Sequence, residues 1–518
     1  MLLLGIDIGT SSIKVSVVDA QTQQCICTAQ YPETESDIIA LKPGWAEQSP
    51  DMWWEHVQLA ILKLHAQRKY NPKDIAAIGI AYQMHGLVMV NKEQQVLRNS
   101  IIWCDSRAVE LGDNAFEEIG KEKCLLHLLN SPGNFTASKL AWVKQNEPDV
   151  YAKADKVMLP GDFIAMKLTG KISTSIAALS EGIFWDFQQN ELSKDVFEYY
   201  GFSDSLIPVI KNVFTEHGRV SANVSATLSL KEGIPVSYKA GDQPNNALSL
   251  NVLQPGEVAT TAGTSGVIYG VSDQLTYDNE SRVNTFAHVN YTAPSPRPNG
   301  TSGWALERAG GEVRLGVLLC INGTGILNRW IKNIAGESMT YQQMNDTART
   351  INAGSDGLII FPFGNGAERM LNNKMVQAHL HNIDFNKHSS AHLFRAAQEG
   401  IAFAFRYGLD IMRENGMNPK IIRAGKANMF LSDVFTQSFV NVNNVAVEFY
   451  EGDGSFGAAI GAGIGAGIFA DAASASKERK PIAVAEPQQT ALYEELYAEW
   501  KEILKSKLHK TDEVNTLS

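Results

Sequence analysis

The sequence predicts an α/β protein made of two related domains that face each other across a cleft. Length gives the first reason. A single hydrophobic core stops growing at roughly 250 to 300 residues, and this chain has 518. An internal repeat gives the second. Leu2 to Ile8 and Ile13 to Asp19 read as strands joined by Gly9, Thr10, Ser11 and Ser12. The same order returns as a strand over Val258 to Thr261, a turn over Gly263, Thr264, Ser265 and Gly266, and a strand over Val267 to Val271. The offset from Gly9 to Gly263 is 254 residues, close to half the chain, as an internal duplication requires.

Taken in order, a third strand near Cys25 to Gln30 completes a meander. Ser49 and Pro50 supply an N-cap and a first-turn proline, and Trp53, Val57, Ala60, Ile61 and Leu64 follow at helical spacing. Ile75 to Tyr82 alternates weakly and is mostly apolar, as suits a strand covered on both faces. Alternation continues to a strand ending at Ala240 and Gly241, with Asp242 after it and a helix opening near Pro244. The boundaries expected are 1–247 for an N-terminal domain, 248–480 for a C-terminal domain and 481–518 for a closing helix and tail. A loop rich in Asn, Pro and Ser spans Thr276 to Ser302, and Lys477 to Pro481 ends the second domain. Leu492, Leu496, Trp500, Ile503 and Leu504 form the apolar stripe expected to dock the last helix.

Composition excludes several functions. With 44% apolar and 19% charged residues the chain has the makeup of a globular protein. A net charge of -11 without a basic stripe argues against nucleic acid or an acidic membrane surface as partner. Five scattered cysteines lack the paired spacing of a disulfide framework or zinc cluster, which points to reduced thiols and a cytoplasmic location. No basic n-region precedes Leu2, so the start reads as a strand and not a signal peptide. Phe456 to Ala473 is too glycine-rich for a membrane span and reads as a close-packed Gly/Ala helix.

Paired across a duplicated chain, the two Gly- and hydroxyl-containing turns can point backbone N–H groups and hydroxyls at one phosphate chain. Neither is a GxxxxGK[ST] loop. Asp7 precedes the first turn, where a carboxylate could hold Mg²⁺ through water. Lys14 could reach phosphate or face solvent. Asp242 follows a strand at the domain boundary, where it could cap a helix starting at Pro244 or accept a hydroxyl proton. Gln83, Met84, His85 and Gly86, and separately Trp103, Asp105 and Arg107, follow strands at the edge where α/β sheets expose ligand-binding loops. Their bland alternatives are a structural histidine and an aspartate capping a helix near Ser106.

Together these residues resemble the FGGY carbohydrate kinases, whose fold is a duplicated actin- and hexokinase-like, ribonuclease H-like domain with its active site between the halves. The resemblance runs from Met1 to about Phe469. It rests on Asp7, Gly9 and Thr10 with Lys14, on Phe135, Thr136, Lys139, Leu140 and Trp142, on Leu159, Pro160 and Asp162, on Gly241 and Asp242, and on Gly263, Thr264 and Ser265. It implies an ATP- and Mg²⁺-dependent sugar kinase with Asp242 as general base and Met84, His85 and Gln243 at the acceptor. Within the family the Gln83 to Gly86 and Trp103 to Arg107 sets look most like xylulokinases, so a ketopentose is the expected acceptor. Gluconate, ribulose, rhamnulose, fuculose and glycerol kinases remain alternatives, as do an actin-like ATPase module and a sugar-binding pseudokinase. Where the family carries a glycine run the chain has Arg423 to Asn428, so only Gly425 and Asn428 carry over to the nucleotide, and Arg423 is expected to lie away from it. The stretch Ser173 to Ser175 lacks an acid often present there. The expected partner is a small-molecule sugar, with no nucleic acid or membrane, and a homodimer is allowed.

Overall fold

A computed structural model describes residues 1–293, 313–336, 338–477 and 479–516. The segment from Thr276 to Ser302, expected as one Asn/Pro/Ser-rich loop, is not loop throughout, because Asn284–Ala287 forms a strand that pairs with Leu315–Ile321; its part after 293 lies outside the described residues, as do the last two residues of the expected tail.

The first domain is organised by β1 (Leu2–Ile8), β2 (Ile13–Asp19), β3 (Cys25–Tyr31), α1 (Pro50–Ala66), β4 (Ile75–Tyr82), α2 (Thr136–Asn146), α3 (Pro160–Thr169), α4 (Ile176–Glu181), β5 (Phe214–Arg219), β6 (Pro235–Gly241) and α5 (Asp242–Ser249). Its sheet runs β5-β6-β4-β1-β2-β3. The meander β1-β2-β3 is antiparallel, and β1, β4 and β6 are parallel to one another. The Ser49 side chain accepts from the Met52 N–H to start α1, and Trp53, Val57, Ala60, Ile61 and Leu64 are its buried face, as the spacing predicted.

The second domain repeats this plan with β7 (Val258–Ala262), β8 (Gly266–Ser272), β9 (Asn284–Ala287), β10 (Leu315–Ile321), α6 (Gly325–Ala335), α7 (Tyr341–Arg349), α8 (Ser390–Glu414), β11 (Ile421–Gly425), α9 (Asp433–Asn443), β12 (Ala446–Tyr450), α10 (Gly454–Gly465), β13 (Ala483–Ala485) and α11 (Thr490–Thr516). Its sheet runs β9-β10-β8-β7-β11-β12-β13. Again three antiparallel strands, β7, β8 and β10, are followed by β11 and β12 parallel to β7. Strand order and sense match the first sheet, which is the duplicated fold the sequence predicts.

Two helices tie the halves together. The Gly/Ala segment forms α10, whose Asp453 side chain caps it by accepting from the Ser455 and Phe456 N–H groups. It lies on the first sheet and not its own. Leu3 and Ala77 pack with Phe456, Ala459 and Ile460 on one face, while Leu2, Leu4, Ile6 and Ile8 meet α1 and α3 on the other. A side chain at Gly5 or Gly79 would collide with the carbonyl of Ser455 or Ala458, so these backbones touch with no room between them. In return, α5 lies against α10 and against β7 and β8. Among the described residues no helix is long and apolar enough to cross a membrane.

The last helix docks on a face shifted from the expected stripe. Tyr493, Tyr497, Trp500 and Leu504 are buried, whereas Leu492 is exposed. Trp500 donates to the Ile360 carbonyl and Tyr497 to Asp410, so the docking face carries aromatic side chains whose polar ends find partners.

Candidate active site

The parallel register aligns the carboxyl ends of three strands. Ile8 lies opposite Tyr82, and Tyr82 opposite Gly241. The Gln83 N–H donates to the Ile8 carbonyl at 2.8 Å. The first turn, the Gln83 to Gly86 segment and Asp242 therefore leave the sheet side by side, where open α/β sheets bind ligands. The turn itself is closed by the Gly9 N–H on the Ser12 carbonyl at 3.2 Å. The Trp103 indole donates to the Thr10 hydroxyl at 3.0 Å, and that hydroxyl donates to Gln83 Oε1 at 3.2 Å. Gln48 binds both the Thr10 carbonyl and the Gln83 amide. Gln83 is buried and spends its amide holding the turn. Ser11 faces outward, and its carbonyl accepts from the Ser36 N–H.

Three carboxylates converge below this edge. Burial first, then the charges of Asp242 and Asp453, push Asp7 up to about 7, against the pull of Lys14. Lys14 is the register partner of Asp7 on β2 and is exposed. Asp242 is pushed up to about 6 by burial, opposed by hydrogen bonds from Gln243. The expected cap at Pro244 is not what forms. Helix α5 begins at Asp242 itself, with Gly241 as N-cap and no side-chain capping bond. The Asp242 carboxylate is thus left for the cleft, with Gln243 beside it. Asp453, which the sequence reading missed, had one available signal, a carboxylate after a strand and before a glycine-opened helix. Among the described residues no group of three or more His, Cys, Asp or Glu side chains is placed to hold a metal. Asp7 and Asp242 suit a hydrated cation better than a direct ligand cage.

Met84 is buried against Gly241, and His85 takes a left-handed φ of 63°. Every main-chain polar group of His85 is tied down. Its N–H donates to Glu181 Oε1 at 3.3 Å, and its carbonyl accepts from Lys139 Nζ at 3.0 Å. Nδ1 lies 2.9 Å from the Glu181 carbonyl. A carbonyl can only accept, so Nδ1 carries the proton and Nε2 presents a lone pair. Burial and the charge of Lys139 push His85 down to about 3, keeping it neutral. Glu181, at the end of α4, is a buried acid held well above the ordinary carboxylate range, chiefly by burial. It too was missed, because an isolated Glu in an apolar run carries no local signature.

Asp105 is not a helix cap, since the following helix starts at Val109. Its carboxylate accepts from the Ala46 N–H at 2.5 Å and from Arg107, which also reaches Glu47 and stacks over Trp45. This network anchors the loop carrying Trp103. Asp105 itself is fully buried.

The second turn borders a cavity of about 370 Å³ lined by Gly263, Thr264, Asn328, Arg329, Tyr341, Asn345, Asn428, Met429 and Ser432 among others. The Gly325 and Ile326 N–H groups at the start of α6 donate to the Gly263 and Thr264 carbonyls. Asn428 reaches the turn in a left-handed conformation with φ 54°. Polar amides beside Tyr341, Met429 and Leu431 form a mixed lining that fits a nucleoside. Gly425 ends β11 with open space around it and does not line the cavity, and Ser265 is exposed. Arg423 points elsewhere. Its guanidinium meets Glu257 and Glu448 at 3.0 Å each and the Asn251 carbonyl. Asn328, Tyr341 and Asn345 lie on α6 and α7, where spacing gave no hint of ligand contact.

Residues 2–249 match the FGGY family of carbohydrate kinases, N-terminal domain. The first half of the chain is thus similar to the N-terminal domain of that kinase family. A xylulose kinase of Haemophilus influenzae is 27% identical over 431 residues, covering 82% of each protein. The structure is similar to that of a xylulose kinase from Brucella ovis, with TM-score 0.84 and 25% identity over 98% of this chain and all of the other. It is equally similar in fold to a gluconate kinase from Lactobacillus acidophilus, with TM-score 0.85 and 20% identity over 99% of both chains.

Proposed function

We propose that this protein transfers the γ-phosphoryl group of ATP to a hydroxyl of a ketopentose, D-xylulose being the best candidate, with Asp242 as general base. One observation carries the reading: the register that brings the Thr10 turn, His85 and Asp242 to one sheet edge. The xylulose kinase relatives support the choice of acceptor.

Asp242 accepts the proton of the attacking hydroxyl as the new P–O bond forms. Elevation to about 6 leaves it ionised near neutrality yet more basic than an ordinary carboxylate. Nε2 of His85 takes a hydrogen bond from a second hydroxyl, fixing the acceptor's orientation, and Met84 closes its apolar side. ATP supplies the phosphoryl group and Mg²⁺ the neutralising charge, with Asp7 the residue that would hold the hydrated ion. Backbone N–H groups of the two turns, with Lys14 at the rim, suit the phosphates. The cavity between Gly263 and Asn428 suits the adenosine.

ADP release, followed over D-xylulose, D-ribulose, L-rhamnulose, L-fuculose, D-gluconate and glycerol, tests this. Release stimulated most by D-xylulose supports it. Preferential turnover of another acceptor corrects the substrate, and release that no acceptor stimulates removes the kinase reading in favour of an ATPase.

A further inference from the structure

The acceptor site described above draws its polar groups from the first domain, yet a cation of the second domain stands over it. Arg369 opens the short turn Arg369–Leu371 after β10 and α7. Its guanidinium carbon lies 5.9 Å from the centroid of the Phe135 ring, and that ring meets the His85 imidazole edge-on at 4.8 Å. Phe286 of β9 completes the cluster, 5.5 Å from His85 and 5.8 Å from Phe135. The charge of Arg369 is felt by His85, by Asp113 on the first domain and by Cys320 of β10. Cys320 also feels the charge of Asp242.

Arg369 makes no ion pair and no side-chain hydrogen bond with any described residue, while other partly buried arginines such as Arg107, Arg282, Arg395 and Arg423 are paired. Burial pulls Arg369 below the usual arginine range. A partly desolvated cation without a partner is costly, and its hydrogen-bond donors want an acceptor. A guanidinium only donates, and His85 Nε2 only accepts. The pair can therefore read two different groups on one small molecule, an oxygen bearing no proton and a hydroxyl.

We propose that Arg369 is a specificity-determining residue supplied across the cleft, which donates to an unprotonated sp² oxygen of the acceptor, the keto oxygen of a ketose, while His85 holds a neighbouring hydroxyl. This rests on the sugar-kinase reading above. It also gives the second domain a share in choosing the sugar, because the acceptor's carbonyl gains its donor only from that side.

The test is steady-state kinetics of Arg369→Ala, Arg369→Gln and Arg369→Lys with D-xylulose, with xylitol, which has a hydroxyl in place of the keto oxygen, and with D-gluconate, whose sp² oxygens are a carboxylate. The Ala and Gln variants should raise the KM for D-xylulose about 10-fold to 100-fold and leave the KM for ATP and the melting temperature unchanged. Their loss on xylitol should stay within about threefold. Lysine should restore part of the ketose affinity. Equal losses on ketose and polyol, or a D-xylulose KM within about twofold of wild type, would overturn the assignment. A wild-type chain that turns over D-gluconate and not D-xylulose would show the ketopentose reading to be wrong. The same variants would then judge Arg369 by their KM for D-gluconate, where an unchanged value overturns its role.

Discussion

Asp242→Asn separates a chemical role from a structural one because the two predict opposite signs. Burial pushes this carboxyl from 3.8 to about 6, so its ionised form is disfavoured in the folded protein. At about 1.4 kcal/mol per pKa unit, two units set a ceiling of about 3 kcal/mol, and exposure to the cleft reduces this to about 1 kcal/mol. A folded-state pKa above the unfolded value means that the folded chain holds the proton more tightly. Stability from this group is therefore greatest below about pH 4 and declines as pH climbs towards 6. Asparagine cannot ionise, so the variant should melt at the same or a slightly higher temperature than wild type at pH 8. Turnover should move the other way, with kcat falling about 10²-fold to 10⁴-fold at saturating ATP and acceptor. In wild type, kcat/KM should rise with an inflection near pH 6, only about a tenth of the base being ionised at pH 5. The variant should lack that limb. Near-wild-type kcat in Asp242→Asn, or the same acid limb persisting in it, would refute the assignment, and a lowered melting temperature with normal turnover would show a structural residue instead.

Three further outcomes are expected. Arg423→Ala should leave the KM for ATP within about twofold while lowering stability by about 1 to 3 kcal/mol in a denaturant titration, since Glu257 and Glu448 lose their shared partner; a tenfold rise in that KM would make it a nucleotide contact. Asn345→Ala and Asn428→Ala, which line the cavity beside the second turn, should each raise the KM for ATP about tenfold with the acceptor KM unchanged, as loss of one hydrogen bond of about 1.4 kcal/mol would do. Gly5→Ala places a methyl group on the Ser455 carbonyl and should lower the melting temperature sharply or abolish soluble expression, whereas an unchanged melting temperature would show that α10 is free to move away.

Local chemistry explains which of these features could be read from the chain. Both hairpins and the capped start of α1 depend on nearest neighbours, and they stand within a residue or two of their expected bounds; the Gly/Ala helix, expected over Phe456 to Ala473, starts two residues earlier and already ends at Gly465. Asp242 was legible as a carboxylate at a strand end, but its role in the turn was not, because a Pro at 244 suggests a first helical turn there and the helix starts two residues earlier. Asp105 reads in the sequence as a ligand-site carboxylate with a helix cap as its bland alternative; its partners, Ala46 and Arg107, include one from 59 positions away. Leu492 was placed on the docking stripe by its apolar character, while the face used carries Tyr493 and Tyr497. Glu181, Asn345 and Arg369 gave no signal at all. Each acquires its surroundings only through long-range packing, which no window of sequence contains.

The destination of α10 links the fold to the chemistry. A helix rich in glycine and alanine has little side-chain energy of its own, and glycine costs backbone entropy in a helix interior. Such a sequence is useful where two backbones must touch. Here Gly5 and Gly79 of the first sheet face Ser455, Ala458 and Ala459 of α10, and Gly461 and Gly465 of the helix face Tyr238 and Ser237. Contact this close excludes water from the layer just beneath Asp7, whose carboxylate lies against Gly454. It also brings in Asp453, whose charge adds to that of Asp242 in lifting Asp7. A larger residue at any of these positions would part the layers and hydrate the carboxylates, and their pKa values would fall towards ordinary ones. The glycines of this close-packed helix thus keep the acids of the cleft dry, and the second half of the chain raises the basicity of a group carried by the first.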